Sequence, residues 1–191
     1  MVKKSDGNSW LQTGLVRACR VHFVLIAVYG VYIIASDGTR LITPQTVLQR
    51  WGVLAFLLSG VSIVWYLARA KVQNINYYRT LLYIIITMDI ALAAFNIYSQ
   101  RGMASRAVVL FALPIVVSTL LLSRTAIFFT ASLCTAAYGL AAVKYFTDYF
   151  NEGYKAELYI EVGLYCAFFF ILAAVLSILI SSNKNEKELG L

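Results

Sequence analysis

Charge is what this sequence has least of. Of its 191 residues only 13% are charged and 61% are hydrophobic, against roughly 25% and 45–50% in a soluble domain. A water-soluble fold of this length has too few charges to cover so much apolar surface. A bilayer removes the difficulty, because its interior is itself apolar. Groups for metal and redox chemistry are just as sparse. The single histidine, His22, and the three cysteines, Cys19, Cys134 and Cys166, show neither metal-ligand spacing nor a pairing pattern. Each cysteine falls in or beside an apolar run, where it serves as a small hydrophobe. There is no phosphate loop, dinucleotide glycine fingerprint or nucleophile elbow. Inverted halves with interrupted helices, the mark of many secondary transporters, are also missing. No catalytic residue, cofactor or metal is therefore expected. A cleavable leader is not expected either: Ile33 stands where a small residue would be needed before Ala35, so the run 21–35 reads as a retained signal anchor.

What is present is a series of long apolar runs. A spanning helix needs about 20 mostly apolar residues, and lipid offers the backbone no hydrogen-bond partners, so the spans must be helical. Six runs qualify: 17–36, 47–69, 78–98, 106–123, 125–144 and 158–181. The expected fold is all-α, a polytopic six-helix transmembrane bundle. Residues 1–16 would form a cytoplasmic N-terminal segment, 17–181 the membrane domain and 182–191 a cytoplasmic tail. The connections are short and carry turn formers: Gly38 and Pro44, Asn74 and Asn76, Gly102, then Asn151 and Gly153. Between the fourth and fifth runs only Leu122-Ser123-Arg124-Thr125 intervenes, which predicts a tight helical hairpin.

The net charge is +7 and the pI about 9.4. The basic residues sit at the ends of apolar runs and form no patch, so they speak for topology and anionic lipid rather than nucleic acid. With the N-terminus inside, ten fall inside: Lys3, Lys4, Arg17, Arg20, Arg69, Lys71, Arg79, Arg124, Lys184 and Lys187. Six fall outside: Arg40, Arg50, Arg101, Arg106, Lys144 and Lys155. Both termini are thus expected in the cytoplasm. Trp65, Tyr66, Tyr77 and Tyr78 flank one inner connection, and Trp51, Tyr98, Tyr145, Tyr149, Tyr154 and Tyr159 the outer side, as interfacial anchors.

Asp89, in the middle of the third run, is the most informative residue. A charge there costs about 2.5–3.5 kcal/mol on insertion scales unless it is neutral or partnered. Ala93 and Asn96, four and seven residues on, share its helical face. That face should look into the bundle, as a signal- or ligand-coupling site or as a packing hydrogen bond. Pro114 lies inside the fourth run and should kink it, with Ser118, Thr119 or a neighbouring helix satisfying the freed carbonyl. A kink there serves as a hinge or as a static bend. The fifth run is rich in small residues, with Thr135 and Gly139 in small-xxx-small spacing. His22, near Arg17 and Arg20, reads as snorkelling or hydrogen-bonded. Glu157 and Glu161 suit the start of the sixth helix.

From the third run to the fifth the order is specific. Asp89 is followed by Ser99-Gln100-Arg101-Gly102-Met103-Ala104-Ser105, Leu110-Phe111-Ala112-Leu113-Pro114-Ile115, and Leu120-Leu121-Leu122-Ser123-Arg124. This resembles the six-span N-terminal sensor region of bacterial sensor histidine kinases of the pilus- and nitrogen-regulator type, membrane components of two-component systems. The resemblance covers roughly 17–185 and is most specific over 89–139. It implies a mid-membrane Asp in the third helix, a Gly/Ser outer turn, a Leu-Pro-Ile-like step and a short Ser-Arg hairpin. It departs from the family in the outer turn, where Gly102 stands without a paired glycine. It departs also in lacking a phosphoacceptor His on a cytoplasmic helix and an ATP-binding domain. The resemblance therefore implies a sensor-like module without kinase activity, free-standing or cut from a longer chain. Asp89, Asn96 and Pro114 would be its coupling residues, and its partners the lipid bilayer, a cytoplasmic signalling protein and a second copy of the chain. A small transporter or channel with Asp89 in a polar path is the alternative. Solute flux would distinguish the two.

Overall fold

Every apolar run of the sequence folds as helix. The computed structural model describes residues 9–38, 43–70, 72–99, 105–149 and 156–189, with side chains except at 9, 156–158 and 183–189. The expected turns at Gly102 and at Asn151 and Gly153, together with Lys3, Lys4, Arg40, Lys71, Arg101, Tyr154 and Lys155, lie outside the described residues, as do the side chains of Glu157, Lys184 and Lys187. Among the described residues there is no strand. Among the described residues five helices are long and apolar enough to cross a membrane. They are α1 (Ser9–Gly38), α2 (Pro44–Ala68), α3 (Ile75–Ser99), α5 (Arg124–Tyr149) and α6 (Ala156–Leu189). The element between α3 and α5 is composite: a 3-10 helix at Arg106–Phe111, α4 (Ala112–Ser118) and a 3-10 turn at Thr119–Leu121. Its 3-10 portions rise about 2.0 Å per residue rather than 1.5, so the whole reaches roughly 28 Å, close to the hydrocarbon thickness, with few residues.

The chain divides within α3 into two compact units, Met1–Leu82 and Tyr83–Leu191. In the first, α1 and α2 pack as a hairpin. The buried positions of α1 are Leu11, Leu15, Cys19, His22, Ile26, Ile33 and Ser36, and those of α2 are Arg50, Leu57, Val61, Val64 and Ala68. Their steps of three, four and seven residues are the spacing of helices packed knobs into holes. At Gly30 the approach is close, since an added Cβ would stand 3.3 Å from Leu54 Cδ1.

Pro44 opens α2 with its preset φ. Thr43 caps the helix, its Oγ1 accepting from the Thr46 amide. At the other end of α2 the last carbonyls have no following helical turn; the amides of Ala70 and Val72 reach Leu67 O and Ala70 O, and neighbouring side chains add further bonds. Gln12 donates to Ala68 O (3.0 Å), Tyr77 to Leu67 O (3.2 Å) and Tyr78 to Ala70 O (2.6 Å). Tyr78 also accepts from the Val72 amide at 3.1 Å. Tyr78, expected as an interfacial anchor, is only 1% exposed and latches the α2–α3 turn instead. Tyr66, fully outward, suits the anchoring role. Arg69 lies 3.6 Å over the Trp65 ring.

In the second unit, α5 and α6 pack along each other and close on α4. The core joins Ala93 and Ile97 of α3, Phe111 and Ile115, Ile127, Ala131, Cys134 and Tyr138 of α5, and Phe169 and Ala173 of α6. Phe111, Tyr138 and Phe169 meet with ring centroids 5.5 to 6.1 Å apart. The tight hairpin expected at 122–125 is present. Leu122 takes the left-handed conformation (φ 49°, ψ 32°), its amide bonding Thr119 O at 2.9 Å, and Ser123 then opens α5. Two sequence expectations need correction. Gly139 has open space at its Cβ position, so the close face of α5 is Ala131, Cys134, Tyr138 and Ala142, with the buried Thr135 hydroxyl beside it and Gly139 off it. Pro114 does not kink a continuous α-helix. It sits in the first turn of α4, just after the winding changes from 3-10 to α. A first turn tolerates a missing donor.

Candidate functional site

The buried stripe of α3 runs through Leu82, Ile85 and Ile86 to Asp89, Ala93, Asn96 and Ile97. These steps of three and four residues put Asp89 on the packed side. It is 4% exposed, Asn96 2% and Ala93 fully enclosed. Isoleucines on either side supply the apolar surface that holds this face inward against the cost of the carboxyl.

Asn96 donates from Nδ2 to the Leu92 carbonyl at 2.9 Å, which orients its amide along the helix. The Asp89 carboxyl lies within electrostatic reach of the Cys134 thiol on α5. That thiol points to the Phe111 carbonyl, 3.7 Å away. The Cys134 thiol thus ties α5 to the residue that ends the 3-10 helix. Pro114 is buried three residues further along, and its neighbour Ile115 belongs to the same core cluster as Ala93 and Ile97. Asp89, Asn96 and Pro114 therefore all lie buried in the unit Tyr83–Leu191, linked through one apolar cluster.

Ser118 and Thr119 behave differently from expectation. They donate to Ile115 O and Val116 O, both at 2.7 Å, carbonyls that follow Pro114; the one four residues before it, Leu110 O, is taken by the Ala112 amide. Such back-bonding loosens the helix locally, and the chain passes into its second 3-10 turn at that point.

Two ties hold the ends of this unit. Tyr98 of α3 donates to Asp148 Oδ2 at 2.8 Å, and Lys144 pairs with the same oxygen at 2.9 Å. At the opposite end of α5, the Arg124 guanidinium donates to Ser181 Oγ on α6. His22 belongs to the other unit; its Nδ1–H donates to Ala18 O at 2.7 Å. All three cysteines are free thiols.

Sequence reasoning missed two buried polar residues. Arg50, counted there with the outer charges, is 5% exposed within α2. Tyr138 is fully buried, and its hydroxyl has no hydrogen-bond partner. For Arg50 a signal existed: Pro44 fixes the start of α2, so position 50 falls inside the helix. For Tyr138 the small neighbours of the fifth run concealed the one large residue on its packed face.

An integral membrane protein of packed helices, with an acidic residue enclosed in its third helix, is the class these features define. The model of the PilS-like transmembrane domain matches residues 3–189. The chain belongs to that six-transmembrane family. Comparison with curated proteins found no match, and neither did comparison with solved structures.

Proposed function

We propose that this chain is a sensor-like module of the inner membrane, with both termini in the cytoplasm, that relays a membrane or outer-face signal through helix repacking to a cytoplasmic partner. It has no kinase activity of its own. Residues 1–16 and 182–191 are its cytoplasmic ends and 17–181 its membrane domain. The observation that carries this reading is the continuity of α6, which runs unbroken from Ala156 to Leu189. At 1.5 Å per residue it is about 50 Å long, well beyond a hydrocarbon core of about 30 Å. A rigid helix of that length turns a shift in its packed half into a displacement of its projecting half. Its packed half meets Phe111 and Tyr138 in the cluster next to Asp89, and Arg124 grips it at Ser181 where the tail begins.

Asp89 and Asn96 serve as the coupling site, and the 3-10/α junction before Pro114 as the compliant element. Lipid, a cytoplasmic signalling protein and a second copy of the chain are the partners; nucleic acid is not among them. The test is hydrogen exchange in proteoliposomes. Arg124→Met removes the grip on α6, so exchange across 182–189 should accelerate more than tenfold while α1 to α3 keep their protection. Unchanged exchange in the tail would remove the hairpin from the relay. Solute flux through the wild-type vesicles would replace the sensor reading with that of a small transporter or channel using Asp89 in a polar path.

A further inference from the structure

Arg50 belongs to the other unit, Met1–Leu82. It lies six residues past Pro44 on α2 and is 5% exposed. Its Nε and Nη1 atoms are buried without a hydrogen-bond partner. Among the described residues no carboxylate pairs with it, and the first turn of α2 holds no acid. The one compensating contact shown is with Tyr32 of α1, whose ring centroid is 5.3 Å from Arg50 Cζ. Tyr29 stacks on Tyr32 from the same helix.

A guanidinium cannot shed its proton to escape burial, and a ring face replaces only part of its lost hydration. The site is therefore short of an anion. The guanidinium fork matches the oxygens of a phosphate. The depth fits a headgroup. The 25 residues of α2 exceed the hydrocarbon thickness by several ångströms, so Arg50 lies only a few ångströms below the boundary, and an Arg side chain spans that distance. Trp51, 41% exposed beside it, belongs at the same interfacial level. Tyr32, whose ring the guanidinium meets, is itself 45% exposed.

We propose that Arg50 anchors a phosphate site at the Gly38–Pro44 end of the α1–α2 hairpin, filled by the headgroup phosphate of a phospholipid. The site is independent of the relay and of which way the chain faces. The test uses the full chain in detergent. Phosphatidylglycerol, an uncharged galactosyl diacylglycerol and inorganic phosphate are added separately, and bound lipid is counted by native mass spectrometry alongside melting curves. Wild type should keep one phosphatidylglycerol and melt at a higher temperature with it. The galactolipid should do neither. Arg50→Gln should lower occupancy at least tenfold, Arg50→Lys should retain part of it, and Arg106→Gln should leave it unchanged. The wild-type lipid comparison stands even if Arg50→Gln fails to fold. Equal retention in wild type and a folded Arg50→Gln would overturn the site, as would equal protection by the galactolipid. Protection by inorganic phosphate in place of the lipid would overturn the lipid as its source. If Asp37→Asn destabilises as Arg50→Gln does and the double variant costs no more, Asp37 is the counter-ion and the proposal fails.

Discussion

Asp89 is legible in the sequence because a carboxyl in the middle of an apolar run needs a reason, and its helical spacing from Ala93 and Asn96 predicts the face it shares. Its enclosure follows from that pattern; its neighbour Cys134 does not, because nothing in a one-dimensional sequence pairs α3 with α5. Asp89→Asn preserves shape and most hydrogen bonding and should fold with wild-type stability. Asp89→Leu leaves polar neighbours unsatisfied and should lose about 1–3 kcal/mol, measured by thermal unfolding in detergent. Equal stability of the two variants would mean that the site is not polar in the folded protein. Tyr138 gives the opposite expectation. Its hydroxyl is buried without a partner, so Tyr138→Phe removes a polar burden and keeps the ring between Phe111 and Phe169. It should melt at or above the wild-type temperature; a clear drop would reveal a partner for that hydroxyl.

At the scale of elements, the runs expected at 17–36, 47–69, 78–98, 125–144 and 158–181 all lie within or largely within single helices, because hydropathy alone decides which segments tolerate lipid. The fourth was legible as an element but not as a 3-10/α composite. Hydropathy does not report winding, and Pro114 marks an irregularity without saying where it falls. The hairpin after it rests on Leu122 in the left-handed region, where a side chain with a Cβ is strained and a β-branched one more so. Leu122→Gly should fold at least as well as wild type, with a gain of up to about 1 kcal/mol. Leu122→Val should cost about 1–2 kcal/mol. Denaturant or thermal unfolding of the pair measures the difference, and the reverse order would mean that the turn adopts another conformation in the membrane.

For the whole molecule, the family and the membrane class were readable from composition, run length and the Asp89-to-Arg124 order, since these depend on solvent and local sequence. Arg50 was counted with the outer charges, and its burial was not legible, because charge counting weighs a residue by the side of the membrane and not by the helical face it occupies. The chain contains no nucleotide site that the sequence reveals, so the purified protein should take up no label from ATP; incorporation would contradict the sensor-without-kinase reading. The central claim is that packing around Asp89 sets the position of α6. Its most direct measurement is the spin–spin distance between labels at positions 125 and 182, in proteoliposomes of a parent in which the partly exposed Cys166 is replaced and the fully buried Cys19 and Cys134 are kept. The account predicts that Asp89→Asn, folded and equally stable, shifts or broadens that distance distribution. A distribution identical to the parent's would show that Asp89 only fastens helices together, and the relay through α6 would be contradicted.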